Sequence, residues 1–278
     1  MLYRRCPRIH AVAALLAAGT LAAVAGPRQA ASPIADPAPV AEFAAAVVAY
    51  EPGVGAASRF FHPEAALGAP STHNPFGEET DPFNPPYGTN QIVSLGAGGR
   101  LILQFAAPIL NHPHNPHGLD FTIFGNAGFI ITNDFNLDTF EWVGVPATDG
   151  SLFGVNFGET RVSVSLNGRD YFLLNPALAP VVDGPLPSDG IGEPRRAIPP
   201  GTAPEQMAGA TLADLREQYA GSAGGAGYDI GWAVDAGGRP VHLPAIRYVR
   251  VEVLSGRSEV DAVAAAARPA GPGAGRLR

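Results

Sequence analysis

The stretch Arg161-Val-Ser-Val-Ser-Leu166, followed by Asn167-Gly168 and then Tyr171-Phe-Leu-Leu174, decides the fold. It places Val162, Val164 and Leu166 on one face and Ser163 and Ser165 on the other, the period of a half-buried strand. Asn-Gly between two such runs is the strongest short-range hairpin signal, so residues 171–174 are expected to return antiparallel. Further along, Ile246-Arg-Tyr-Val-Arg-Val-Glu-Val-Leu254 alternates again. Ile246, Tyr248 or Val249, Val251 and Val253 oppose Arg247, Arg250 and Glu252, and the slip near Tyr248-Val249 predicts a bulge. After the turn at Ser255-Gly256, Glu259-Val-Asp-Ala-Val263 reads as a shorter closing strand. Toward the N-terminus, Arg100-Leu-Ile-Leu-Gln-Phe105 is an apolar run. Leu119-Asp-Phe-Thr-Ile-Phe124 sets Phe121 and Ile123 against Asp120 and Thr122.

One helix is predicted, capped by Thr211 with Asp214 three residues on. Leu212, Leu215 and Tyr219 share its face and Gly221 stops it. A single short helix among roughly eight or more strands implies an all-β chain, a jelly-roll β-sandwich with long loops. Gly 34 and Pro 28 together fill about a fifth of the 278 residues, which suits strands joined by turns and loops.

The first residues point to export. Arg4, Arg5 and Arg8 precede the uncharged run Ala11 to Ala25, which ends in Ala23-Val24-Ala25. A basic start, a short apolar core and small residues at the exit make a secretory signal peptide over residues 1–25. The run falls short of the ~20 residues needed to span a bilayer. The only cysteine, Cys6, lies within residues 1–25, so no disulfide or Cys-based metal site is expected in the mature part. Residues 26–41 read as a flexible leader, 42–263 as one β-sandwich domain and 264–278 as a disordered tail. The chain carries a formal net charge of −7, and all its basic residues are scattered arginines. That opposes binding to nucleic acid or anionic lipid, both of which need clustered cations. A secreted, periplasmic or cell-surface location is expected, with no transmembrane segment in the mature protein.

An ordered series of motifs runs over most of residues 46–263. It includes Val47-Val-Ala-Tyr-Glu-Pro-Gly53, Ala65-Ala-Leu-Gly-Ala-Pro70, Gln91-Ile-Val-Ser-Leu-Gly-Ala-Gly-Gly99 and Gly118-Leu-Asp-Phe-Thr-Ile-Phe-Gly-Asn126. It continues through Arg161-Val-Ser-Val-Ser165, Tyr228-Asp229-Ile230, Tyr248-Val-Arg-Val251 and Glu259-Val-Asp-Ala-Val263. This series resembles exported bacterial surface proteins of the PEP-CTERM-associated type, with a galactose-binding-like (discoidin-like) sandwich. No Pro-Glu-Pro sorting signal follows Val263. The resemblance implies a fold and no particular activity, because one sandwich hosts many functions. It also implies a structural calcium tying the first and last strands, with Asp261 and Glu259 as ligands and Glu51 as a partner. Asp is disfavoured within strands, so Asp261 asks for a reason; an outward-facing polar residue is the other reading.

Other polar clusters admit two readings each. His112, His114 and His117 in Asn111-His-Pro-His-Asn-Pro-His-Gly118 form either a zinc site or a solvated Pro-rich turn. Asp134, Asn136 and Asp138 have the spacing that opens an EF-hand. Thr139 and Val145 stand where that loop needs Gly and Glu, leaving a looser calcium site or a solvated loop. Phe76, Phe83, Tyr87, Phe140, Trp142 and Phe153 lie in loops, where they either stack on sugars or pin the loops down. Trp142, Tyr87 and Phe140, with Glu141 beside them, are the candidate ligand-binding residues. No nucleophile elbow, His-Glu-x-x-His or phosphate loop is present. The chain is thus expected to be a non-catalytic module for glycan or another extracellular ligand, with calcium as the one cofactor implied. A polysaccharide-acting enzyme using carboxylates from the loops at 70–90 and 133–158, and a structural envelope or matrix protein, are the alternatives.

Overall fold

The computed structural model describes residues 42–154 and 158–267. The expected signal peptide, the expected leader and residues 268–278 of the expected tail lie outside these. Strands β1 (Ala44–Glu51), β2 (Val93–Gly96), β3 (Arg100–Leu110), β4 (Phe121–Phe124) and β5 (Gly128–Ile131) come first. Then follow β6 (Phe135–Asn136), β7 (Glu141–Trp142), β8 (Thr148–Phe153), β9 (Glu159–Ser165) and β10 (Phe172–Leu174). Helix α1 (Leu212–Tyr219) precedes β11 (Ala226–Tyr228), β12 (Ala233–Val234), β13 (Ala245–Ser255), β14 (Arg257–Val260) and β15 (Ala262–Ala265).

The all-β expectation holds. Among the described residues every strand pair is antiparallel, and the strands form a six-stranded sheet, a three-stranded sheet and three two-stranded ones. The six-stranded sheet runs β1-β3-β13-β9-β10-β12 and the three-stranded one β11-β4-β15.

Register explains why the alternating runs sit where they do. Val249 lies opposite Val164 on one side and Leu103 on the other; Val251 likewise faces Val162 and Leu101. These six buried side chains form two apolar rows across three strands. They belong to one core cluster with Phe121, Ile123, Tyr228 and Val263 of the three-stranded sheet. Phe121 and Tyr228 stack with centroids 5.2 Å apart. Burying such residues supplies ~1.5–3 kcal/mol each before entropy is counted. The slip beside Tyr248 is a register shift between Ile246 and Tyr248 against β3. The hairpin after β9 forms as expected, with Phe172 opposite Val164. Helix α1 is capped by Thr211, whose hydroxyl accepts from Asp214 N–H, and its chain leaves through Ala220 at φ 50°.

Four expectations need correction. Leu166 does not join Val162 and Val164; it is 48% exposed, because the strand ends at Ser165. Ser163 and Ser165 are buried, since side chains from neighbouring strands and the turn lie over them: Ser163 Oγ accepts from Arg250, and Ser165 Oγ accepts from Gly168 N–H. Strand β4 is buried on both faces, Thr122 included. Its second face is covered by a satellite cluster of Phe124, Ala223, Ala262 and Ala264 with Phe43 against it. The closing strand is two strands: β14 pairs with β2, the chain breaks step at Asp261, and β15 pairs with β4. Burial there runs past Val263 through Ala266, where β15 pairs with β4 and Ala265 N–H donates to Glu42 O at 2.7 Å.

The motif Glu51-Pro-Gly53 and the motif Gly96-Ala-Gly-Gly99 meet backbone to backbone. Gly96 N–H donates to Pro52 O, and Val54 and Ala97 exchange both their hydrogen bonds. A Cβ on Gly96 would sit 2.2 Å from Val54 O, and one on Gly99 2.5 Å from Pro52 O. Neither obstacle is a movable side chain. Gly96→Ala is therefore expected to lower stability by at least about 2 kcal/mol, read as a reduced urea midpoint at unchanged slope.

Candidate functional site

The clearest surface built for contact is the excursion between β5 and β8. These two strands pair at its base, and β6 pairs with β7 at its tip. Asn133 holds the two arms together: its amide donates to Val143 O and Val145 O, and its Oδ1 accepts from Ala147 N–H. Asn136 Oδ1 shapes the turn by accepting from Asp138 and Thr139 N–H. This is the local chemistry that makes Asn a turn former.

The turn ends at Phe140, which sits at φ 56° with 78% of its surface exposed. Left-handed backbone is uncommon for a bulky residue and carries strain. Phe140 and Trp142 both meet Phe135 edge-on, at centroid distances of 6.4 and 4.9 Å. Leu137, Val143 and Val145 beside them are exposed too. Glu141 lies opposite Asn136 in the β6–β7 pair. Of the ring residues picked from sequence, Trp142 and Phe140 come together here. Tyr87 meets Phe76 in a separate loop, at 6.2 Å. Phe135, which joins the two rings at the tip, was missed. Its signal was its place one residue before Asn136, across a short turn from Trp142.

The metal candidates fall apart by position. Among the described residues no three His, Cys, Asp or Glu side chains gather into a metal-holding group. Glu51 is exposed and pairs with Arg100. Asn136 spends its oxygen on its own turn, with Asp134 and Asp138 exposed around it. His112 and His114 have ring centroids 5.3 Å apart, while His117 stands apart at φ 58°. Asp261 is only 2% exposed, so it is not an outward-facing strand residue. Ser71 meets both of its oxygens, with the N–H on Oδ2 and the hydroxyl on Oδ1, each at 2.8 Å. Glu259 is buried beside it in sequence, with Arg257 at 3.7 Å.

The carboxylates considered for glycoside hydrolysis are mostly committed locally. Glu79 pairs with Arg216, Glu78 accepts from Asn74, Asp81 accepts from Phe83 and Asn84 N–H, and Asp149 accepts from Ser151.

Sequence reasoning missed two buried acids, Asp189, which pairs with Arg216, and Asp183. Asp183, at φ 60°, accepts Asn126 and Ala127 N–H on Oδ1 and Glu259 N–H on Oδ2. Its side chain lies against the backbone of Gly125, where a Cβ would be 2.2 Å from Oδ1. An Asp-Gly pair in a Pro-rich loop was the available signal. Asp120 also fixes loops: it accepts His112 N–H and the Asn115 amide on Oδ1, and Ile230 N–H on Oδ2.

Burial pushes the carboxyl of Asp183 up to about 8, helped by the neighbouring Glu259 charge. Burial also raises Asp261 to about 7 and Asp120 to about 6, against the lowering pull of their N–H donors.

No protein-family model matches the chain, and no curated protein matches it.

The raised carboxyls fix the sign of a pH effect. Each holds its proton in the folded state above the pH at which the unfolded chain, with ordinary Asp near ~3.9, releases it. Their contribution is complete below about pH 4 and is lost as pH rises through 6 to 8. The melting temperature is expected to fall between pH 5 and 8.5. Asp261→Asn, which can still bond Ser71 without charge, flattens that slope near pH 7; an unchanged slope would count against the assignment.

Proposed function

We propose that this chain is an exported, non-catalytic module that holds carbohydrate on the aromatic tip of the β6–β7 hairpin. In this reading the two larger sheets face one another as a jelly-roll sandwich of the galactose-binding-like kind. The shared core cluster of Val162, Val249, Phe121 and Val263 supports that arrangement. The charge pattern of residues 1–25 supports export. Among the described residues no helix is long and apolar enough to cross a membrane.

The observation that carries the carbohydrate reading is Phe140, exposed and strained at a turn that Asn136 and Asn133 hold in shape. A ring used only to pin a loop would be buried. Sugars present apolar C–H faces with hydroxyls around the rim. Phe140 and Trp142 suit the faces, and Glu141, Asp134 and Asp138 supply acceptors for the hydroxyls. The same acids disfavour an anionic lipid surface.

The test is retention of the purified protein on a polysaccharide panel, with product analysis alongside. Binding without released reducing ends is expected. Phe140→Ala and Trp142→Ala each weaken it roughly tenfold or more, about 1.4 kcal/mol, with little change in melting temperature. Release of reducing ends would favour the enzyme, and self-assembly abolished by the same two variants without glycan binding would favour the structural role.

A further inference from the structure

The outer face of the six-stranded sheet carries a different site. We propose that the cleft above β9 and β13 binds a carboxylate-bearing sugar, a uronate, through Arg161 and Arg250.

The cleft has a volume of about 420 Å³, and its polar side chains are Arg161, Ser163, Tyr171, Asn175, Asp235, Arg250 and Glu252. That volume lies within the ~300–1,000 Å³ of small-molecule sites. Register sets the two arginines together. Arg161 lies opposite Glu252 and Ser163 opposite Arg250, so Arg161 and Arg250 are diagonal neighbours across the strand pair. Diagonal positions are ~7–8 Å apart, close enough for long side chains to converge on one group.

Arg250 is held in place before any ligand arrives. Its guanidinium lies over the Tyr171 ring, 4.6 Å from the centroid, and one terminal nitrogen donates to Ser163 Oγ at 3.3 Å. Its Nε stands 3.2 Å from Glu252 Oε2, out of hydrogen-bond alignment. The Tyr171 hydroxyl is buried and finds no hydrogen-bond partner among the described residues. A buried polar group without a partner is uncommon and calls for one.

The charges in the cleft do not cancel. Glu252 offsets Arg250, and Asp235 is taken by Arg239 at 2.7 Å. Arg161 is exposed and meets no carboxylate among the described residues. One unmatched cation in a chain of net charge −7 selects a monoanion. Glu252 in the wall disfavours a dianion such as phosphate. Guanidinium pairs with carboxylate through two parallel, charge-assisted N–H bonds, a strength that a neutral hexose lacks. The remaining walls fit a sugar ring. Leu173, Pro176 and Val234 are apolar, and Asn175 spends its oxygen on Ala177 N–H while its amide hydrogens meet no partner among the described residues. This site shares no residue with the hairpin, and it holds or fails independently of the carbohydrate reading there.

The test is calorimetric titration of the purified protein with galacturonate, glucuronate and mannuronate, against galactose, glucose, mannose, acetate and phosphate. At least one uronate is expected to bind roughly tenfold or more tightly than its neutral hexose and than acetate or phosphate. Arg161→Gln, at an exposed position, weakens that binding roughly tenfold with the melting temperature unchanged. Trp142→Ala leaves it unaltered, which separates this site from the hairpin. Equal affinity for uronate and hexose, equal affinity for phosphate, or an Arg161→Gln protein that binds uronate normally would each overturn the proposal.

Discussion

Long loops leave backbone N–H groups that no strand satisfies, and buried aspartates satisfy them here. A Gly/Pro-rich chain of this kind has many such donors, and an unpaired one inside costs as much as a lost hydrogen bond. Asp183 gathers donors from the Asn126–Ala127 turn and from β14. Asp120 joins the His112 loop to the start of the Ile230 turn, and Asp261 ties Ser71 to the break between β14 and β15. Each carboxyl therefore joins segments far apart in sequence. The cost is desolvation, which appears as the raised affinity of all three for protons.

How much of this was legible follows from which physics each part obeys. The inward rows of Val162, Val164, Val249, Val251 and Val253 were readable because alternation is local and the sheet buries that one face as a unit. The three-stranded sheet was not. Its outer face is covered by Phe43 and Ala223, and their positions depend on contacts across the whole chain. Asp261 announced itself by being an acid in a strand. Its partner Ser71, 190 residues away, had no signal in the sequence. Trp142 and Phe140 were readable as loop aromatics, whereas Phe135 became their bridge only once the turn was formed. Arg161 and Arg250 read simply as outward residues of two strands, because their proximity needs the register between β9 and β13.

Strand β13 serves both faces of the large sheet. Val249 and Val251 fix it in the core, and Arg250 and Glu252, the residues between and after them, project onto the cleft. A polar surface placed this way inherits the rigidity of the apolar rows beneath it, as a precise recognition surface requires. The hairpin is the opposite design: its shape comes from the short β6–β7 pairing and the turns that Asn133 and Asn136 hold, and its rings are exposed.

The pairing order also sets when the molecule can fold. β13 completes β3, β14 completes β2 and β15 completes β4, so about twenty residues near the end of the domain supply partners for strands laid down in its first half. Closure of the larger sheets in a chain made from its N-terminus waits on these last strands, and such non-local closure is slow. Until the final strands emerge the earlier ones stay open-edged, a state compatible with threading through a narrow pore and vulnerable to clumping if the wait is long.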